Sequence, residues 1–181
     1  MANGPVILDL PSLPTETELS RPVAEALALA ASVALDRISP SRERDPALIA
    51  GGDVKLPAEL RRVTVDEGAR RTYADHQEAT EEGAEAVAIL VARRVLTRIV
   101  FQRLPKMTGA DYLMRDPEAT DGDAYERLEC SGIAEGQESM SVRLRAKLQQ
   151  LARFPSQRSG VAIVRNFRMD PVDIRNGGWP T

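Results

Sequence analysis

Between residues 80 and 167 the period of the apolar residues switches several times, and the order of those switches constrains the fold more than any single motif. Ala84, Val87, Ala88, Val91 and Val95 recur at spacings of three and four, which predicts a helix over 80–96 with one face in a core. Thr80, followed by two carboxylates, marks its expected start. Three short runs of β-type composition follow at 98–103, 111–114 and 125–133, separated by Pro, Gly and Asp clusters that suit hairpin connections. Helical spacing returns over 139–153, where Leu144, Leu148 and Leu151 form one stripe, Arg143, Lys147 and Gln150 line another face, and Ser139 or Ser141 can cap. The run 161–167 is β-branched and apolar, as a buried strand should be, and Asp170 and Pro171 end it. The order helix, three strands, helix, strand predicts an α/β fold around a mixed sheet.

The N-terminal third is less regular. Residues 1–20 hold three prolines and read as a flexible lead. Residues 21–60 read as an N-terminal helical extension. Within it, alanine and leucine dominate 22–37 behind Pro22, a good first-turn residue, and predict a packed helix. Residues 39–52 (SPSRERDPALIAGG) read as a loop and 54–65 as one or two short strands. Residues 61–181 form the expected core domain.

At 181 residues the chain is long enough for a real core, and its 43% hydrophobic and 28% charged residues exclude fibrous and wholly disordered classes. The longest apolar run, 86–92, falls far short of the roughly 20 residues a membrane helix needs, so no membrane partner is expected. One cysteine, Cys130, excludes an internal disulfide framework, and with no leader-like N-terminus the expected compartment is the cytoplasm. Neither a P-loop nor a G-x-G-x-x-G motif occurs. The single histidine, His76, cannot build a zinc site or triad without distant partners, and Cys130 falls on the inward side of its strand, where a thiol behaves as a small hydrophobe.

Charge is unevenly spread although the net is only −3. Residues 93–106 carry five basic side chains and no acid, 107–138 carry nine acids against Arg115 and Arg127, and 139–181 carry eight basic residues against Asp170 and Asp173. An acidic strip between basic ones fits a cation site flanked by phosphate-binding surface. Its sharpest pattern is Thr108-Gly109-Ala110-Asp111 at the opening of one strand and Leu128-Glu129-Cys130-Ser131-Gly132 in the next. Strand alternation sends Glu129 and Ser131 to one face and Leu128 and Cys130 to the other, and a hairpin can bring Asp111 beside Glu129. Two converging carboxylates make a hard-oxygen site suited to Mg²⁺ or Mn²⁺.

On these residues and this element order the chain resembles the PD-(D/E)xK, or restriction-endonuclease-like, nuclease superfamily over roughly 80–167. It is also similar to uncharacterised bacterial proteins bearing ATE-x-GA, TG-x-D and LE-x-SG blocks, here at 79–84, 108–111 and 128–132. The resemblance implies a restriction-endonuclease-like core, with metal-dependent cleavage of phosphodiester bonds. Asp111 and Glu129 match the motif acids, and Glu81 or Glu85 the carboxylate supplied by the preceding helix. No proline precedes Asp111, and Ser131 stands where the motif lysine belongs. Ser131 would then orient a water, and Lys106 or Lys147 would supply the positive charge. Nucleic acid would meet Arg143, Lys147 and Arg153, while the N-terminal extension offers a surface for a protein partner or a second copy. Seven aromatic residues in the whole chain are too few for a base-stacking platform. The missing motif lysine supports a rival reading, a catalytically inactive nuclease-like subunit that binds or scaffolds within a larger bacterial complex. A small helical oligomerisation protein, the third reading, does not account for the β-type runs.

Overall fold

The computed structural model describes residues 4–119, 125–134, 139–153, 159–168 and 172–177. Two helices dominate one side of the sheet. α2 (Arg21–Ile38) opens with Pro22 in its first turn, where a missing N–H costs nothing, and buries an alanine-rich face. α4 (His76–Arg94) packs against it, with Gly83 so close to Ala31 that a β-carbon would sit 2.8 Å from the Ala31 Cα. Small residues on both helices permit this approach.

The start of α4 departs from expectation. Asp75, not Thr80, is its cap, with Oδ1 accepting from Gln77 N at 2.7 Å, while Thr80 Oγ1 donates back to the His76 carbonyl from within the helix. α3 (Glu67–Thr72) precedes it and is capped by Asp66, which accepts from Ala69 N at 2.7 Å.

After α4 come β4 (Ile99–Arg103), β5 (Tyr112–Arg115) and β6 (Glu126–Ile133), then α5 (Met140–Arg153) and β7 (Gly160–Asn166). The expected helix, three strands, helix, strand order is present. β4 pairs antiparallel with β5 and β5 with β6, whereas β6 and β7, joined across α5, run parallel. Ser139 caps α5, its Oγ accepting from Val142 N. Leu128, Cys130, Val161 and Ile163 face α2 and α4, while Ala162 and Val164 pack under Leu144 and Leu151 of α5 on the opposite side. Gly132 is required by contact: a β-carbon there would meet the Thr80 carbonyl at 2.5 Å, so β6 lies directly on α4.

The sheet is larger than the sequence indicated. Its eight strands run β1-β3-β2-β8-β7-β6-β5-β4, adding β1 (Val6–Asp9), β2 (Arg44–Gly51), β3 (Val54–Arg61) and β8 (Val172–Gly177). Three expectations change. The described part of the lead is built into the fold: β1 pairs parallel with β3, a 3₁₀ turn (Leu10–Ser12) and α1 (Leu13–Glu16) follow, and Leu8, Leu10 and Leu13 are fully buried. The loop expected at 39–52 contains β2, because Asp45, Ala47 and Ile49 alternate into the core. Pro46 is tolerated since the β8 ladder begins only at Ala47. The segment at 21–60 is therefore part of the same sheet rather than a helical appendage. β8, beyond Pro171, was not anticipated; its polar alternation, with Ile174 buried between Asp173 and Arg175, gave little apolar signal. Among the described residues no helix is long and apolar enough to cross a membrane.

Candidate functional site

Asp111 lies immediately before β5, reached through Gly109 at φ 79°, a left-handed conformation that suits glycine. Its backbone N–H donates to the Leu128 carbonyl at 2.9 Å, and its Oδ2 accepts from Cys130 N at 2.7 Å. Asp111 thus spans Glu129 along β6, and the hairpin brings the two acids together, as the strand pattern allowed.

Glu129 is 1% exposed. Its Oε1 accepts from two residues of α5, Lys147 Nζ at 2.5 Å and Gln150 Nε2 at 3.0 Å. Lys147 and Gln150 are three apart and share a helix face, so both reach the same oxygen. Oε2 is buried with no N–H donor, and the Asp111 and Glu129 carboxyls stand close enough to share a hydrogen bond. Burial raises the Glu129 carboxyl to about 7, the Asp111 charge adds to the rise, and Lys147 opposes it.

Glu85 approaches from α4. The Tyr112 hydroxyl donates to its Oε2, and Arg103 Nη2 lies 3.2 and 3.1 Å from its two oxygens. Arg103 and Tyr112 are cross-strand partners on β4 and β5, which explains why both reach one carboxylate. Burial raises Glu85 above the usual carboxylate range, Tyr112 and Arg103 counter this, and Asp111 adds repulsion. Burial and the Glu85 charge likewise push the Tyr112 phenol up.

The remaining expected residues divide. Glu81 does not join Glu85: it is exposed and accepts from Gln77. Lys106 is exposed on the rim of an open groove of about 510 Å³ that also contains Glu81, Glu82, Glu85 and Arg103. Ser131 is buried two residues beyond Glu129 on β6. Arg143 lines a neighbouring cavity with His76, Glu81 and Gly132, and Arg153 is exposed at the end of α5. Cys130 is buried, and burial pushes its thiol up, away from reactivity. The sequence reading missed Arg103 and Tyr112 and assigned no role to Gln150. The shared face of Lys147 and Gln150 was the visible signal for the last. Nothing in the spacing pointed to the first two, which depend on strand register.

Among the described residues no three His, Cys, Asp or Glu side chains stand in an arrangement ready to hold a metal ion. The donor set is a pair of adjacent carboxylates, Asp111 and Glu129, with Glu85 beyond, and one buried oxygen without an N–H donor. The pair presents hard oxygen donors, one of which, Glu129 Oε1, is already paired with Lys147. No family model, curated protein or solved structure matches the chain.

Proposed function

We propose that the protein is a metal-dependent nuclease with a PD-(D/E)xK-like core whose lysine comes from α5 rather than from the strand that carries the glutamate. The carrying observation is the group Asp111, Glu129 and Lys147, in which Lys147 and Gln150 hold Glu129 Oε1 while Oε2 is buried without an N–H donor. The element order α4, β4, β5, β6, α5, β7 supports the same reading.

On this reading Asp111 and Glu129 would hold Mg²⁺ or Mn²⁺, with Glu85 the third carboxylate. When bound, the ion supplies Lewis acidity and a more acidic water. Lys147 fixes Glu129 and places a positive charge where negative charge develops on the phosphate oxygens during attack. Gln150 orients the same carboxylate. Water would attack phosphorus and release a proton to solvent, the bond to the leaving sugar oxygen would break, and that alkoxide would take up a proton from solvent. Ser131, on the same strand as Glu129, orients water, and exposed Lys106 and Arg153 meet flanking phosphates, joined by Arg143.

The test is cleavage of plasmid, single-stranded DNA and RNA by purified protein in Mg²⁺, Mn²⁺ or EDTA, with Asp111→Ala and Lys147→Met prepared identically. Metal-dependent cleavage by wild type alone is expected. Cleavage that persists unchanged in Asp111→Ala, or none on any substrate, overturns the proposal. The second result would favour a non-catalytic binding or scaffold subunit.

A further inference from the structure

A second cluster of charge lies at the other end of the sheet, separated from β6 by β7 and β8. In the antiparallel pairing of β2 with β3, Arg44 stands directly opposite Arg61. Like charges in opposed positions destabilise a ladder, so a neighbour must relieve them. Both guanidiniums lean on one carboxylate oxygen, Glu59 Oε1, at 2.9 Å from Arg61 Nε and 3.7 Å from Arg44 Nη1. Two cations therefore share one anion, and their side chains remain exposed, Arg44 by 63% and Arg61 by 41%.

The pair opens onto a cavity of about 410 Å³ that Arg42, Arg62 and Arg70 also line. Arg62 is fully engaged: its Nε and Nη2 lie 2.6 and 2.5 Å from the two Asp45 oxygens, its Nη1 donates to the Ser39 carbonyl at 2.9 Å, and it is buried. It stiffens the wall. Arg70 is held by Asp36 at 3.0 Å. Asp9, Asp36 and Glu43 are the acids of the lining, against five arginines. Arg44 and Arg61 are thus two aligned, accessible forks that share Glu59, with Asp9 the register neighbour of Arg61 on β1, and both line the concave surface.

We propose that this cavity binds a phosphate group, gripped by Arg44 and Arg61. A guanidinium presents paired donors that match phosphate oxygens, and an anion placed between the two arginines converts their repulsion into a shared attraction.

The test is calorimetric titration of the full chain with inorganic phosphate and with pyrophosphate at constant ionic strength, in wild type, Arg44→Gln and Arg61→Gln. Wild type should bind, and each variant should bind about tenfold more weakly or worse, as loss of a charged hydrogen-bond donor implies. Without anion, each variant should melt at or above the wild-type temperature, because an opposed charge has gone. No binding by wild type, or equal binding by both variants, overturns the proposal. So does a lower melting temperature with unchanged anion binding, the signature of a purely structural ion cluster. Competition with a short single-stranded oligonucleotide separates the sources. Displacement of pyrophosphate assigns the phosphate to a nucleic-acid strand and retention to a small molecule, and either result supports the site.

Discussion

The Glu129 carboxylate sits where folding works against its charge, and this makes its contribution to stability measurable. Its carboxyl is raised from 4.5 to about 7, chiefly by burial and next by Asp111. A carboxyl with a higher value in the folded state binds its proton more tightly there than in the unfolded chain. Its contribution is therefore full below about pH 4.5, is lost as pH rises through 7, and is level above that. At about 1.36 kcal/mol per tenfold change in proton affinity, the loss is about 3 kcal/mol. In a chain of this length that corresponds to a melting temperature lower by roughly 6 to 12 °C at pH 8 than at pH 5 from the coupled Asp111 and Glu129 pair. Glu129→Gln mimics the protonated acid in size and shape. Lys147, whose side chain is 22% exposed, can turn its ammonium to water. The variant should lose most of the pH dependence and be the more stable protein at pH 8, keeping a residual slope of the same sign from Glu85, also raised by burial. Urea unfolding of both proteins at half-unit steps from pH 4.5 to 8.5 gives the answer. Parallel curves, or a variant less stable than wild type at pH 8, would refute the reasoning.

Two further predictions follow from contacts around the same site. Arg103 pairs with both oxygens of Glu85, so on the proposed reading it competes with a metal for that carboxylate. Arg103→Gln should tighten Mn²⁺ binding several-fold by calorimetry, on the order of the 1 kcal/mol a partly exposed ion pair is worth, and weaker binding would show that the arginine serves the site instead. Gly132→Ala drives a β-carbon to 2.5 Å from the Thr80 carbonyl, so the protein should lose about 1 to 3 kcal/mol in urea unfolding, and an unchanged midpoint would mean that α4 and β6 separate freely.

What could be read from the chain was what is local. The order of α4, β4, β5, β6, α5 and β7 was legible because each element carries its own period, and Asp111 met Glu129 because a hairpin joins them. Glu85 could not be separated from Glu81 by helical spacing alone; the choice depends on Arg103 and Tyr112, which strand register brings to Glu85. Between Lys106 and Lys147, it is Lys147 that reaches Glu129, because α5 crosses the face of β6 on which Glu129 lies. β2 was hidden by the weight given to Pro, Ser and Gly in a segment whose alternating Asp45, Ala47 and Ile49 carried the strand signal. The buried acid Asp45 is explained only by Arg62, 17 residues away. Leu8, Leu10 and Leu13 have a partner surface only once β3 and α2 are in place, and short-range patterns do not report that.

The way Asp111 and Glu129 are anchored also bears on how an ion could use them. Asp111 spends Oδ2 on the Cys130 amide, and Glu129 spends Oε1 on Lys147 and Gln150. Each acid thus has one oxygen already committed to a contact with the protein. On the proposed reading each lends a single oxygen, which suits the compact octahedron of Mg²⁺ or Mn²⁺. On the proposed reading, the backbone clasp on one acid and the helix clasp on the other would favour ligation through one oxygen of each.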